Sequence, residues 1–278
     1  MNSINKYYIF MIVYKVFGIA TEDIPKIDTR IWKGIEPNST LFCHQASIFK
    51  NGHFICGGSI ITKNHILTAA HCFSNVARKK YYQIGVNGTK LDSLRIYAVG
   101  FIFVHERYGK PRPEDHDIAV IKLKSYLTFD DTVNLISLSN FSHVPSDTEC
   151  LIAGFGASEK ALKPDTLTYV YVKIVLNAIC STYFGTLRKG MICAEGIEPQ
   201  QGVCIGDSGG GLMCFEKLTG IVSFTLHSYP YCTKTPAVYT DVFYYKDWIK
   251  TQLQRESSCI AEPKVSLIVL LALLLKKC

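Results

Sequence analysis

Apolar residues along this chain fall in short runs rather than in one long stripe. Runs rich in Ile, Val, Tyr and Phe recur at 54–61, 66–70, 81–86, 95–104 and 118–123, broken by Gly, Asn, Asp and Pro. A second set follows at 150–154, 169–175, 190–194, 211–215, 218–224 and 237–241. Runs of this length and composition, bounded by turn residues, predict strands, and strands so spaced predict antiparallel barrels or sandwiches. The connection around 135–146 separates the two sets. One stretch has a different period: 243–254 places Trp248, Ile249 and Leu253 on one face and predicts a closing helix.

The ends depart from this pattern. Residues 1–20 carry Lys6, then an apolar stretch, then Gly18 and Ala20 where small residues precede a cleavage point, which reads as a secretory signal peptide. Residues 21–30 are polar and aperiodic and read as a propeptide. The last 24 residues, 255–278, hold an apolar run at 265–275 ending in Lys276-Lys277-Cys278. That run is shorter than the roughly 20 residues of a spanning helix. A frayed hydrophobic extension is the reading, with GPI attachment or membrane contact as the alternative.

Composition narrows the setting. The chain has 278 residues, 48% hydrophobic and 19% charged, enough for one large or two small cores. The net charge of +7 is scattered, apart from Arg78-Lys79-Lys80 and the terminal lysines, with no interleaved basic and aromatic stripe. Nucleic acid is therefore not an expected partner. Eleven cysteines without paired Cys-x-x-Cys spacing point to disulfides in an oxidising compartment rather than to zinc. Sequons at Asn38, Asn87 and Asn140 agree with a secreted, glycosylated surface.

The chemistry concentrates in Cys204-Ile205-Gly206-Asp207-Ser208-Gly209-Gly210. A hydroxyl among glycines can be exposed beside main-chain N–H donors, as an acyl-transfer nucleophile requires. It also needs a base, and the base an orienting acid. Thr68-Ala69-Ala70-His71-Cys72 and His116-Asp117-Ile118-Ala119-Val120 supply candidates in the order His, Asp, Ser. The Gly-x-Ser-x-Gly pattern of the α/β-hydrolases is disfavoured, because those place the acid and histidine after the serine. Here only Glu216 and His227 follow in that order.

With these three stretches the chain resembles the chymotrypsin-like (trypsin, chymotrypsin and elastase) serine proteases. The resemblance implies an all-β fold: two six-stranded antiparallel β-barrels with a C-terminal α-helix. It implies a peptidase domain over 31–254, an N-terminal barrel over 31–140, and a C-terminal barrel plus helix over 146–254. His71, Asp117 and Ser208 become a catalytic triad in the cleft, and the N–H groups of Gly206 and Ser208 an oxyanion hole. The family is made as a zymogen. Cleavage after Arg30 is expected to free an α-ammonium on Ile31 that turns inward to pair with Asp207, although Trp32-Lys33 departs from the usual start.

Carried over position by position, the disulfides are Cys56–Cys72, Cys150–Cys214, Cys180–Cys193 and Cys204–Cys232, leaving Cys43, Cys259 and Cys278. The pocket positions are Gly202, Ser223, Thr225 and Ala237, with Ser223–Thr225 as the edge that pairs with substrate. Trypsin-like members carry an aspartate where Gly202 stands, and a pocket without an acid cannot offset the desolvation of a Lys or Arg head group. Thr225 and Ala237 narrow the slot. The expectation is cleavage after small-to-medium apolar residues. No cofactor or metal is implied: the family's calcium loop falls near 85–93, where Asp92 is the only acid. Implied partners are protein or peptide substrates, a trypsin-like activating protease, and serpins or small protein inhibitors. The alternative reading is a weak or silent homologue that acts by binding.

Overall fold

The structure is a computed structural model, described over residues 34–38, 40–73, 76–157, 165–198, 201–226 and 235–255. The signal and propeptide readings, Cys232, Cys259, Cys278 and the apolar tail lie outside the described residues.

Twelve strands close into two antiparallel barrels. The first is built from β1 (Gln45–Lys50), β2 (His53–Thr62), β3 (His65–Thr68), β4 (Tyr82–Val86), β5 (Arg95–Val104) and β6 (Ala119–Leu123), in the spatial order 1-2-3-6-5-4. The second uses β7 (Glu149–Gly154), β8 (Thr168–Ile174), β9 (Met191–Gly196), β10 (Gly211–Cys214), β11 (Lys217–Phe224) and β12 (Ala237–Asp241), in the order 10-11-12-9-8-7. Closure pairs every strand on both sides and removes the exposed edges that make open sheets prone to association.

Two elements were not expected. Strand β1 turns Ala46 and Ile48 into the first core and buries Gln45 and Ser47 on its other face, so too few large apolar residues mark it as a strand. Helix α1 (Asn177–Phe184) has no side-chain cap, and Cys180 is its one buried residue. Its place is fixed by the Cys180–Cys193 bridge to β9. The closing helix α2 (Lys246–Gln254) is shorter than the 243–254 expected, its first turn being replaced by a tight turn over Val242–Tyr245.

The first core joins Ile48, Ile60, Ile66, Ile84, Val120 and Ile121 to Tyr245 and Ile249, so α2 packs against the first barrel although it follows the second. The second core centres on Ile152, Val170, Val172, Leu212, Val222 and Tyr239. Between the barrels, Phe54 meets Phe155 edge-on at 5.7 Å, and Ile35 exchanges two backbone hydrogen bonds with Tyr169. This seam holds the two halves of the candidate site in register.

Candidate active site

Strand β3 stops at Thr68 rather than running on to Ala70. Ala69 is extended, and Ala70–Cys72 form one 3₁₀ turn with Ala70 and Cys72 buried. The turn leaves His71 at the surface of the cleft, its side chain 31% exposed. The Cys56–Cys72 disulfide ties the turn to β2 immediately beside His71.

Asp117 lies just ahead of β6 and is buried. Its two carboxylate oxygens face the same residue: Oδ1 accepts the His71 backbone N–H at 2.9 Å, and Oδ2 lies 2.7 Å from His71 Nδ1. With Nδ1–H given to the carboxylate, Nε2 keeps its lone pair and can act as a base. The second barrel contributes as well. Ser223 Oγ donates to Asp117 Oδ2 at 2.6 Å, and Thr240 Oγ1 donates to the Asp117 carbonyl at 2.8 Å. Sequence reasoning did not mark Thr240, which reads only as one residue of strand β12.

The serine loop is locked to the histidine turn through one glycine. Gly57 N–H donates to the Ser208 carbonyl at 2.8 Å, and the Gly57 carbonyl accepts the Thr68 hydroxyl at 2.8 Å. Gly209, with φ +77, packs so tightly here that a Cβ would strike Gly57 O and the Thr68 hydroxyl. Among the described residues, the N–H groups of Gly206 and Ser208 have no acceptor, whereas those of Asp207, Gly209 and Gly210 do. Two free donors therefore flank Asp207 beside the serine. Among the described residues no hydrogen bond joins His71 to Ser208; such bonds are commonly long in free enzymes and tighten on substrate binding.

Asp207 is fully buried. Its carboxylate accepts N–H bonds from Cys204 at 2.8 Å and Gly156 at 2.9 Å. Burial outweighs these donors and pushes its pKa up to about 7. Gly156 has no room for a Cβ, because the carboxylate fills that space. Arg30 and Ile31, the expected activation residues, lie outside the described residues.

Ser208 opens onto a pocket of about 210 Å³. Val203, Cys204, Ile205, Val222, Ser223, Phe224, Thr225 and Leu226 form its wall, which holds no acidic side chain among the described residues. Of the expected pocket positions, Ser223 and Thr225 lie on this wall. Gly202 and Ala237 do not; Ala237 is buried in the second core. Phe224 falls within the expected 223–225 edge; Val203, Ile205, Val222 and Leu226 were missed, and adjacency to the nucleophile and to that edge was the available signal.

Three of the four expected disulfides are formed: Cys56–Cys72, Cys150–Cys214 and Cys180–Cys193. Cys204 is disulfide-bonded; its expected partner, Cys232, lies outside the described residues. Cys43 is a free thiol. Asn38 and Asn140 are exposed, whereas Asn87 is half-buried, with its amide oxygen able to accept from Arg95 Nε at 2.9 Å.

Comparison with known proteins gives one answer. A family profile described as Trypsin matches residues 31–249. Trypsin-3 of Salmo salar is 32% identical over 81% of this chain and 94% of its own length. Hypodermin-A of Hypoderma lineatum is 33% identical over 84% of this chain and 92% of its own. Transmembrane protease serine 11G of Mus musculus is 32% identical over 80% of this chain, which spans only 55% of that relative. Among solved structures, neuropsin, a serine protease of mouse brain, superposes with a TM-score of 0.73 at 32% identity, covering 81% of this chain and all of its own.

Proposed function

The chain belongs to the trypsin family, and from that premise we propose that it is a secreted serine endopeptidase made as a zymogen. The observation that carries the reading is the 2.7 Å contact of His71 Nδ1 with Asp117 Oδ2, made where Ser223 joins Asp117 to the pocket that Ser208 lines. Ser208 Oγ attacks the peptide carbonyl while His71 Nε2 takes its proton and returns it to the leaving amine. Asp117 holds the imidazole in the required tautomer and balances its charge when protonated. The Gly206 and Ser208 N–H groups receive the oxyanion; loss of one such donor typically costs about 10²–10³ in turnover.

A trypsin-like protease cuts after Arg30, and the Ile31 ammonium supplies a cationic partner to the buried Asp207, which has only N–H donors among the described residues. Serpins and small protein inhibitors bind the same cleft. Specificity follows from the wall of the pocket: apolar side chains and hydroxyls, with Thr225 reducing its width, favour a small-to-medium apolar residue on the acyl side of the cut bond. Export rests on the N-terminal 20 residues. Among the described residues no helix is long and apolar enough to cross a membrane.

A fluorophosphonate probe tests the activity. The Arg30-cut protein is labelled and its Ser208→Ala variant is not; a cut wild-type protein that takes no label is a silent homologue acting by binding. Cleavage of a peptide library tests the specificity: products ending in Lys or Arg overturn the pocket reading.

A further inference from the structure

A pocket of about 280 Å³ lies beside His116, one residue before Asp117, and takes no part in the chemistry above. Arg107, Arg188, Lys189 and His116 line it, together with Asp115 and Tyr245. Two loops distant in sequence thus bring basic residues to one hollow: 105–118 supplies Arg107 and His116, and 185–190 supplies Arg188 and Lys189. Like charges do not gather in a recess without a cost in repulsion, unless acids or a ligand offset it.

The acids offset it only in part. Among the described residues Asp115 is the one carboxylate on the wall, its side chain 4% exposed; its Oδ2 accepts Arg188 Nε at 3.3 Å and the Arg112 N–H, and its buried Oδ1 has no partner. Among the described residues, no ion pair or side-chain hydrogen bond holds Arg107 or Lys189. His116 is fixed in place by an unusual backbone (φ +57), by stacking on His105 at 4.7 Å, and by Tyr245 Oη at 2.9 Å from Nδ1. Burial first, and then the Arg107 charge, hold the His116 pKa below its usual value; Arg188 adds to this, and Asp115 and Glu106 oppose it. Both arginines therefore act on the groups lining this hollow. Arg188 and Lys189 also line a second hollow of about 560 Å³.

We propose that this pocket binds a sulfate or phosphate group, free or carried on an extended polyanion. A tetrahedral oxyanion offers several acceptors to converging guanidinium and ammonium donors, and charge-assisted bonds of this kind are the strong ones.

The test is isothermal titration of the full chain at low ionic strength with three probes: inorganic sulfate, inorganic phosphate and a fully sulfated oligosaccharide. Arg107→Ala and Lys189→Ala are each expected to weaken binding about tenfold, and added salt to weaken it further. A Lys79→Ala/Lys80→Ala double variant, at the other basic run, is expected to bind as wild type. Binding of the inorganic ions assigns a free anion, and binding of the oligosaccharide alone assigns a polyanion; either supports the site. The proposal is overturned if no probe binds, if Arg107→Ala and Lys189→Ala both bind as wild type, or if the double variant loses as much as they do. Both single variants replace exposed side chains, and their unfolding midpoints are measured alongside.

Discussion

Ser223, on the wall of the pocket beside Ser208, donates its hydroxyl to Asp117 Oδ2 at 2.6 Å. The oxygen that steadies the His71 imidazole is thus itself steadied from the second barrel. In Ser223→Ala the buried carboxylate keeps His71 but loses a charge-assisted donor worth about 1.5–3 kcal/mol. The expected result is a roughly tenfold fall in kcat with KM little changed, read from steady-state kinetics of the Arg30-cut protein on a short peptide substrate. An unchanged kcat would show that Asp117 is held well enough without it.

His71, Asp117 and Ser208 were legible because each lies in a short stretch whose residue types have few other uses together. The disulfides at 56–72, 150–214 and 180–193 were legible only through the resemblance, since spacing alone leaves the pairing open. Strand β1 was not legible: Gln45-Ala46-Ser47-Ile48 alternates, but only Ile48 and Phe49 are large apolar residues, and Gln45 and Ser47 are buried although polar. Nor was the Gly57 bridge between Thr68 and Ser208, because Gly57 and Ser208 enter it through main-chain atoms alone and only the Thr68 hydroxyl is a side chain. The pocket shows the same limit. The 223–225 edge was placed on the wall, but Leu226, just past the end of β11, was not, because nothing in the residue types there marks a pocket.

Asp207 sets a pH dependence that activation should reverse. Burial raises its pKa from 3.8 to about 7. Below pH 4 both folded and unfolded chains hold the proton. Between pH 4 and 7 the folded chain retains a proton that the unfolded chain gives up, so stability falls as pH rises and the penalty is complete above about 7. In the uncut chain, Asp207→Asn should remove this loss and be more stable at pH 8, by up to the order of 4 kcal/mol. After cutting at Arg30, the Ile31 ammonium should pair with Asp207, and the wild type should become the more stable. Urea unfolding of both proteins from pH 4 to 8, before and after the cut, reads the change.

Thr225 lines the pocket, and its hydroxyl lies 3.3 Å from that of Thr235. Thr225→Gly opens that side of the slot. The ratio of kcat/KM for a substrate with Phe before the cut bond to that for one with Ala should rise about tenfold, the scale of one or two methylene groups in an apolar pocket. A ratio that stays put would place the limiting contact elsewhere on the wall.

The Cys56–Cys72 bridge closes 16 residues of chain and anchors the turn that presents His71. Cross-linking a loop of about that length removes roughly 3 kcal/mol of unfolded-state freedom. Both half-cystines are buried, so serines in their place add unsatisfied hydroxyls to the loss. A Cys56→Ser/Cys72→Ser variant should therefore unfold at least about 6 °C below wild type, at some 2–4 °C per kcal/mol for a chain of this size. The bridge also fixes the 3₁₀ turn locally, so catalysis should suffer more than stability alone requires. Well below the variant's own midpoint, where nearly all molecules are folded, kcat should still be reduced, because the released turn lets His71 leave the Asp117 carboxylate. Calorimetry paired with kinetics at 15 °C separates the two effects. Wild-type turnover in a variant with a lowered midpoint would mean that the two Asp117 contacts hold the imidazole without help from the disulfide.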